Sequence, residues 1–426
     1  MNRQEGIKLL MQQNIVVAVG CTEPVAVALC VAKAKDMLEK QGDEVEKIDL
    51  YLSKNIIKNA MGVGIPGTGM IGLPIAIALG VVCGDSKKEL EVLSEAKNNV
   101  DKAKDWLKNH PININTKQTE EKLFIECHCI GKHNNSIATI AQTHTNFIHL
   151  ELNGEVLLDK TCSKEKNCSP TDEILSTLKA KEIWDYAMQE PLENIAWIQD
   201  TVKLNAACSE HSLQNEYGLR IGKKLFNSWD KNIRNEIIAR TCAASDARMD
   251  GATLPIYSNS GSGNQGITCT LPVYYYGVKK NASEEKITRA LILSHLMSIY
   301  IKSKIGRLSA LCGAVNASMG AASGITYLAG GDFTQMSYAI RNMINTITGM
   351  ACDGAKPSCA LKISAALNSA FDSVLLAMNN IVVDSTDGIA ETDIDASIND
   401  VGKIGRYGMD TMDDMILDIM THKNCK

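Results

Sequence analysis

The chain has 426 residues, of which 45% are hydrophobic and 22% charged, with a formal net charge of −5 at pH 7. That length predicts two domains, and the composition is that of an ordinary globular protein. A net-negative chain without a basic footprint excludes nucleic acid as an expected partner.

Residues 4–17 carry a helical pattern that breaks at Gly20-Cys21-Thr22-Glu23-Pro24. The first 24 residues hold a short apolar run without the layout of an export signal, so a soluble, cytoplasmic chain is expected. A long helix is predicted over residues 23–40, with Thr22 as N-cap, Pro24 in the first turn and Gly42 beyond the end. Cys21 then stands just ahead of a helix N-terminus, where the dipole favours a thiolate. A reactive thiol and a packed one both remain open there. Glu23 reads first as an acid satisfying the helix dipole and second as an alternative base.

Residues 47–53 (KIDLYLS) alternate as a strand does. Gly62, Gly64 and Gly67 spell G-x-G-x-x-G, but residues 55–61 separate them from the strand and Pro66 sits inside the motif. A dinucleotide site is therefore not expected. A glycine turn whose N–H groups approach a small anion is. Residues 85–109 read as an amphipathic polar helix. Residues 112–159 turn to strands, with Asn153-Gly154 as a hairpin turn. Cys127 and Cys129 share one strand face and His128 takes the other, so packing is the expected role of the two thiols. Cys162 and Cys168 flank a lysine-bearing polar loop that reads as a linker between domains.

After Ser169 the pattern is mainly helical. Residues 258–266 (SNSGSGNQG) contain no apolar side chain and lie between apolar runs. They form either a surface loop or a recognition loop for a small polar ligand. Asp246, Arg248 and Asp250 precede them as ion pairs or as site residues. Residues 308–331 carry no charge until Asp332 and are rich in Gly, Ala, Ser and Asn. They lack the aliphatic density of a spanning helix, so they imply close packing and no membrane association.

Fourteen cysteines without an export signal point to free thiols, metal ligands or catalytic groups. Cys312, Cys352 and Cys359 are spaced C-x39-C-x6-C in and beside small-residue segments. Three thiols suit a [4Fe–4S] cluster with one open iron, and zinc is the competing metal, in a non-enzymatic zinc- or thiol-binding protein. The spacing decides neither.

Several stretches together resemble the iron–sulfur-dependent L-cysteine desulfidase family, which is related to the alpha part of bacterial iron–sulfur L-serine dehydratases. They are GCTEPVAVAL at 20–29, KNAMGVGIPGTGMIG at 58–72, DGATLPIYSNSGSGNQGITCTLPV at 250–273, LCGAVNASMGAASG at 311–324 and GMACDGAKPSC at 349–359. The resemblance implies an oxygen-sensitive lyase with a [4Fe–4S] cluster on Cys312, Cys352 and Cys359. It also implies a cysteine base matching Cys21, with release of hydrogen sulfide, pyruvate and ammonia from L-cysteine. Relatives acting on serine carry His-Thr where this chain has Cys21-Thr22, and a longer gap before the third cysteine. L-Serine is therefore the second substrate expected.

The fold class expected is α+β. A mixed α/β domain with antiparallel strands would span 1–165, and a mainly helical, cluster-bearing domain 166–426. Asn59, Ser260 and Asn264 are the residues expected to hold the carboxylate and amino groups of a small-molecule substrate. A homo-oligomer, with a dimer as the base case, is the expected assembly.

Overall fold

The structure, a computed structural model, describes residues 2–161, 170–228, 230–306 and 309–422. The expected boundary at 165/166, with Cys162 and Cys168 on either side, lies outside the described residues. The fold is α+β, with a mixed sheet in the N-terminal half and mostly helices after it.

Strand β1 (Val17–Val19) precedes six strands that form one sheet: β2 (Lys47–Leu52), β3 (Ile112–Thr116), β4 (Phe124–Ile130), β5 (Asn135–Ala141), β6 (Phe147–Leu152) and β7 (Glu155–Asp159). Their order is β3-β2-β4-β5-β6-β7, with β2 and β3 parallel and the other pairs antiparallel. The alternation legible in KIDLYL turns Ile48, Leu50 and Leu52 inward. Cys127 and Cys129 face the same way, fully buried, with their sulfurs 3.7 Å apart. They pack, while His128 on the other face bonds Glu126.

The helix Thr22–Glu39 covers that inward face, and the helix Leu73–Val82 lies over it in turn. Being enclosed on both sides explains why the run VAVALCVA is apolar all round. Gly80 permits the close approach, since a Cβ there would stand 2.8 Å from the Ala28 carbonyl oxygen. The predicted polar helix is shorter than expected. A left-handed residue, Glu89 (φ 48°), interrupts it, and the regular helix runs only over Ala96–Asn109.

In the second half the charge-free stretch forms the helix Gly313–Leu328, packed against Gly263–Lys279, Glu284–Ile305, Phe333–Ile347 and Cys359–Met378. Its small residues let helix backbones nearly touch, as at Gly320, where a Cβ would stand 2.4 Å from the Ser294 carbonyl oxygen. Cys359–Met378 is long and apolar enough to cross a membrane. Its residues Ala366, Leu367 and Ala370 are nevertheless buried among its neighbours in the helical body.

Both ends of the chain cross between the two bodies. The helix Arg3–Asn14 buries Ile7, Leu10 and Met11 in the core of the helical body. The helix Asp410–Thr421 returns to the helix Lys54–Ala60, where Lys58 forms a buried ion pair with Asp413. Asp413→Ala leaves Lys58 charged and unpaired in the interior, an expected loss of about 3–5 kcal/mol measurable from the denaturant midpoint.

Candidate active site

A cavity of about 1060 Å³ lies where the two bodies meet. Cys21, Glu23, Asn59, Ser260, Asn264, Cys312, Cys352 and Cys359 all line it, although they are spread over more than three hundred positions of sequence. The short pairing of β1 with β8 (Pro255–Tyr257) helps bring them together. Beyond it, Ser258 N–H donates to Val16 O at 2.8 Å and Ser260 N–H to Asn14 O at 2.9 Å. These bonds hold residues 258–262 beside the segment that carries Cys21.

Four long helices begin at this cavity. Thr22–Glu39 starts after Cys21, Gly263–Lys279 after Ser262 and Gly313–Leu328 after Cys312, while Cys359–Met378 starts with a cysteine that lines the cavity. None has a side-chain cap or an acid in its first turn, except for Glu23 in the first. Uncapped N–H groups and the positive ends of the dipoles therefore face one volume, a field suited to anions.

The N-cap of the first helix is Cys21, not Thr22, because the turn at Gly20 delivers the chain one residue earlier. Gly20 adopts φ +71°, and a Cβ there would stand 2.3 Å from Pro66, so only glycine fits. Cys21 is 4% exposed, and its Sγ donates to Glu23 Oε2 at 3.5 Å. Burial, reinforced by the Glu23 charge and opposed by Arg248, pushes this thiol far above the ordinary range. The dipole argument for a free thiolate thus loses to desolvation, and the group is a thiol bonded to a carboxylate. Glu23 also accepts from Thr22 Oγ1 at 3.2 Å and from Asn59 Nδ2 at 3.1 Å. Asn59, expected on the substrate, is engaged in holding Glu23.

The glycine loop plays a different part from the one expected. Residues 62–67 do not line the cavity; Gly64 N–H donates to Met249 O at 3.0 Å and Gly67 N–H to Gly251 O at 3.1 Å. A Cβ at Gly64 would stand 2.3 Å from the Asp250 carbonyl carbon. Close backbone packing has consumed the N–H groups that an anion would need.

Cys312 and Cys352 are set side by side by a small antiparallel bridge. Leu311 pairs with Ala351, Cys312 N–H donates to Met350 O at 3.0 Å and Cys352 N–H to Ala310 O at 2.6 Å. The hydrogen bond from Cys312 pulls Cys352 well below the ordinary thiol range. Lys58, the Gly354 amide and Lys362 assist it and burial opposes it. Cys312 is raised in return. Cys359 Sγ donates to Gly354 O at 3.6 Å, and burial raises it. Lys302 also lines the cavity, and burial lowers it to about 8 against the pull of Cys352 and Cys312.

Among the described residues no three Cys, His, Asp or Glu side chains converge on one point as ligands of a single ion. A cubane cluster asks for something else, because each of its irons takes its own thiolate. Three thiols around one cavity, with Lys58 and Lys362 beside Cys352, fit such an anionic group. They do not form a structural zinc site, which wants four converging donors.

Residues 258–266 are fixed from behind by a buried polar chain. Asn259 Nδ2 donates to His295 Nδ1 at 3.1 Å, His295 Nε2 meets Thr270 Oγ1 at 3.0 Å, and Ser260 Oγ donates to Asn259 Oδ1 at 2.8 Å. Burial lowers His295 from 6.5 to about 3, so the folded protein keeps it neutral. The unfolded chain binds that proton below pH ~6.5, so stability is complete above this value and falls toward pH 3, by about 1.4 kcal/mol per unit. Denaturant midpoints measured across that window should show the fall, with a smaller slope in His295→Gln.

Three functional candidates carried little signal in the sequence. Lys58 and Lys302 are ordinary lysines there, and only burial distinguishes them. Arg248 forms no ion pair with Asp246 or Asp250; its Nη2 donates to Gly20 O at 3.1 Å and approaches Cys21 Sγ at 3.7 Å.

Comparison with known proteins places these features in a family. The family described as serine dehydratase alpha chain matches residues 87–418. A UPF0597 protein of Phocaeicola vulgatus is 49% identical over 99% of this chain and 98% of its own length. One of Bacteroides fragilis is 46% identical over 100% of this chain and 99% of its own. One of Shewanella halifaxensis is 44% identical over 97% of each.

Proposed function

We propose, from the premise that this chain belongs to the serine dehydratase alpha chain family and is a lyase of that type, that it is an L-cysteine desulfidase. The reaction is β-elimination from L-cysteine, giving hydrogen sulfide and 2-aminoacrylate, which hydrolyses to pyruvate and ammonia. The observation that carries this reading is the convergence on one cavity of the Cys21–Glu23 pair and three further thiols.

The family generally binds an iron–sulfur cluster, and Cys312, Cys352 and Cys359 would hold it here. When bound, the cluster supplies a thiophilic Lewis acid beside the leaving sulfur. Lys58 and Lys362 stabilise the anionic form of Cys352, and the Lys58–Asp413 pair fixes the first of these lysines. Glu23, held by Asn59 and Thr22, takes the Cys21 proton. The Cys21 thiolate formed in this way removes the Cα proton, a role for which a buried, strongly basic thiolate is suited. The cytoplasm is the compartment that suits this reading, since free thiols and an oxygen-sensitive cluster survive there.

The family description favours a second reading in which L-serine is dehydrated by the same residues. The test is to purify the protein without oxygen and supply L-cysteine and L-serine separately. Sulfide and pyruvate from L-cysteine at a kcat/KM at least tenfold above that for L-serine is the expected result. Pyruvate from L-serine alone would make it a serine dehydratase, and an iron-free protein without turnover on either would end both readings.

A further inference from the structure

Arg248 is 5% exposed and lines the cavity, yet none of the ion pairs among the described residues includes it. A guanidinium has five N–H donors and is charged at every physiological pH, so burying it without an anion is costly. Here Nη2 is taken up by Gly20 O and Cys21 Sγ. Nη1 has one contact, to Asn264 Oδ1 at 3.5 Å, which is the outer limit of a hydrogen bond. Nε has no partner at all. The acids around it do not serve: Asp246 turns one oxygen to Gly222 N–H, Asp250 forms no ion pair with it, and Glu23 accepts from Cys21, Thr22 and Asn59.

The first turn of the helix Gly263–Lys279 lies directly against this guanidinium. A Cβ at Gly263 would stand 2.1 Å from Arg248 Nε, so glycine is needed while the side chain stays in place. That 17-residue helix has no side-chain cap and no acid in its first turn, and Ser262, Asn264 and Gln265 line the cavity beside it. An unpaired buried cation and an uncapped helix end therefore leave one anion missing from the same place.

We infer that Arg248 and the first turn of Gly263–Lys279 form the site for the α-carboxylate of the substrate. This rests on the reading that the substrate is an α-amino acid. The assignment has a consequence for the chemistry. Because Arg248 also touches Cys21, a carboxylate held there brings the adjacent Cα to the sulfur that would deprotonate it. The site holds the carboxylate of 2-amino and 2-oxo acids and makes no contact with the corresponding amines, which lack it.

The test uses the cluster-loaded full-length protein and two probes, pyruvate, which carries the carboxylate, and cysteamine, which has the thiol and amine without it. In calorimetric titration Arg248→Met should weaken pyruvate binding at least tenfold and leave cysteamine binding within twofold, with Arg248→Lys in between. Gly263→Ala, which keeps the charge but displaces it, should also weaken pyruvate binding. Thermal midpoints close to wild type show that each variant is folded. Wild-type protein that fails to bind pyruvate, or Arg248→Met and Gly263→Ala binding it as wild type does, overturns the site. Arg248-dependent pyruvate binding in a protein that turns over neither L-cysteine nor L-serine would keep the site and remove the proposed function. Turnover of L-cysteine with KM unchanged in Arg248→Met would do the reverse.

Discussion

Glu23→Gln and Cys21→Ala, each purified without oxygen, are expected to lose about 10²–10⁴-fold in turnover of L-cysteine while keeping the wild-type iron content. The two variants test different links of one relay. Cys21 is a thiol in the folded protein because burial and the neighbouring carboxylate both disfavour its anion. It can act as a base only after its proton has moved to Glu23, the one carboxylate its Sγ contacts among the described residues. Gln at position 23 keeps the size and the bond to Asn59 but cannot take that proton. Full turnover in Cys21→Ala together with a large loss in Glu23→Gln would make the carboxylate itself the base. Full turnover in both would remove the pair from the reaction. The circular dichroism spectrum and iron content separate a chemical loss from misfolding, which matters because Glu23 is buried with three donors around it.

Cys312→Ala, Cys352→Ala and Cys359→Ala should each abolish both the iron and the activity, where wild-type protein is expected to carry about four irons per chain. The effect is expected to be complete, because each of the three thiols would hold its own iron. Cys352 is the sharpest of the three. It is the thiol held below the ordinary range, and Lys58 and Lys362 lie within its field. Cys127→Ala is the control, a buried cysteine of the sheet that packs against Cys129 and lies outside the cavity. It should cost stability and leave the iron in place. Iron retained in all three cavity variants would show that these thiols do not hold a cluster, whatever the activity.

Both predictions depend on contacts between the two halves of the chain. The N-terminal half supplies Cys21, Glu23, Asn59 and Lys58, and the C-terminal half supplies Arg248 and the three thiols. The helix Asp410–Thr421 joins them a second time through Asp413 and Asp414, which pair with Lys58 and Lys54. A change in that terminal helix should therefore reach Cys352 through Lys58 without touching the cavity.

Much of this protein was legible from local pattern. Alternation placed β2, the capping pattern around 22–42 placed the long helix after Cys21, and the charge-free small residues after 308 implied close packing. The motifs around positions 21, 59, 260, 312 and 352 marked residues that do meet at one cavity. What local pattern could not decide is the electrostatic state of those residues, because that state is set by burial and by partners that the fold brings together. The helix dipole at Cys21 is a local feature and favours a thiolate, but burial between the two bodies outweighs it and leaves a thiol on Glu23. The G-x-G-x-x-G loop has the composition of an anion cradle, but the chain at 249–251 occupies its N–H groups. Arg248 reads as half of an ion pair or as a site residue until the fold turns it to Gly20 O and Cys21 Sγ and pairs it with neither Asp246 nor Asp250. Periodicity is a property of neighbours along the chain, and so sequence alone conveyed it. Desolvation and charge pairing belong to neighbours in space, and only the tertiary structure determined those.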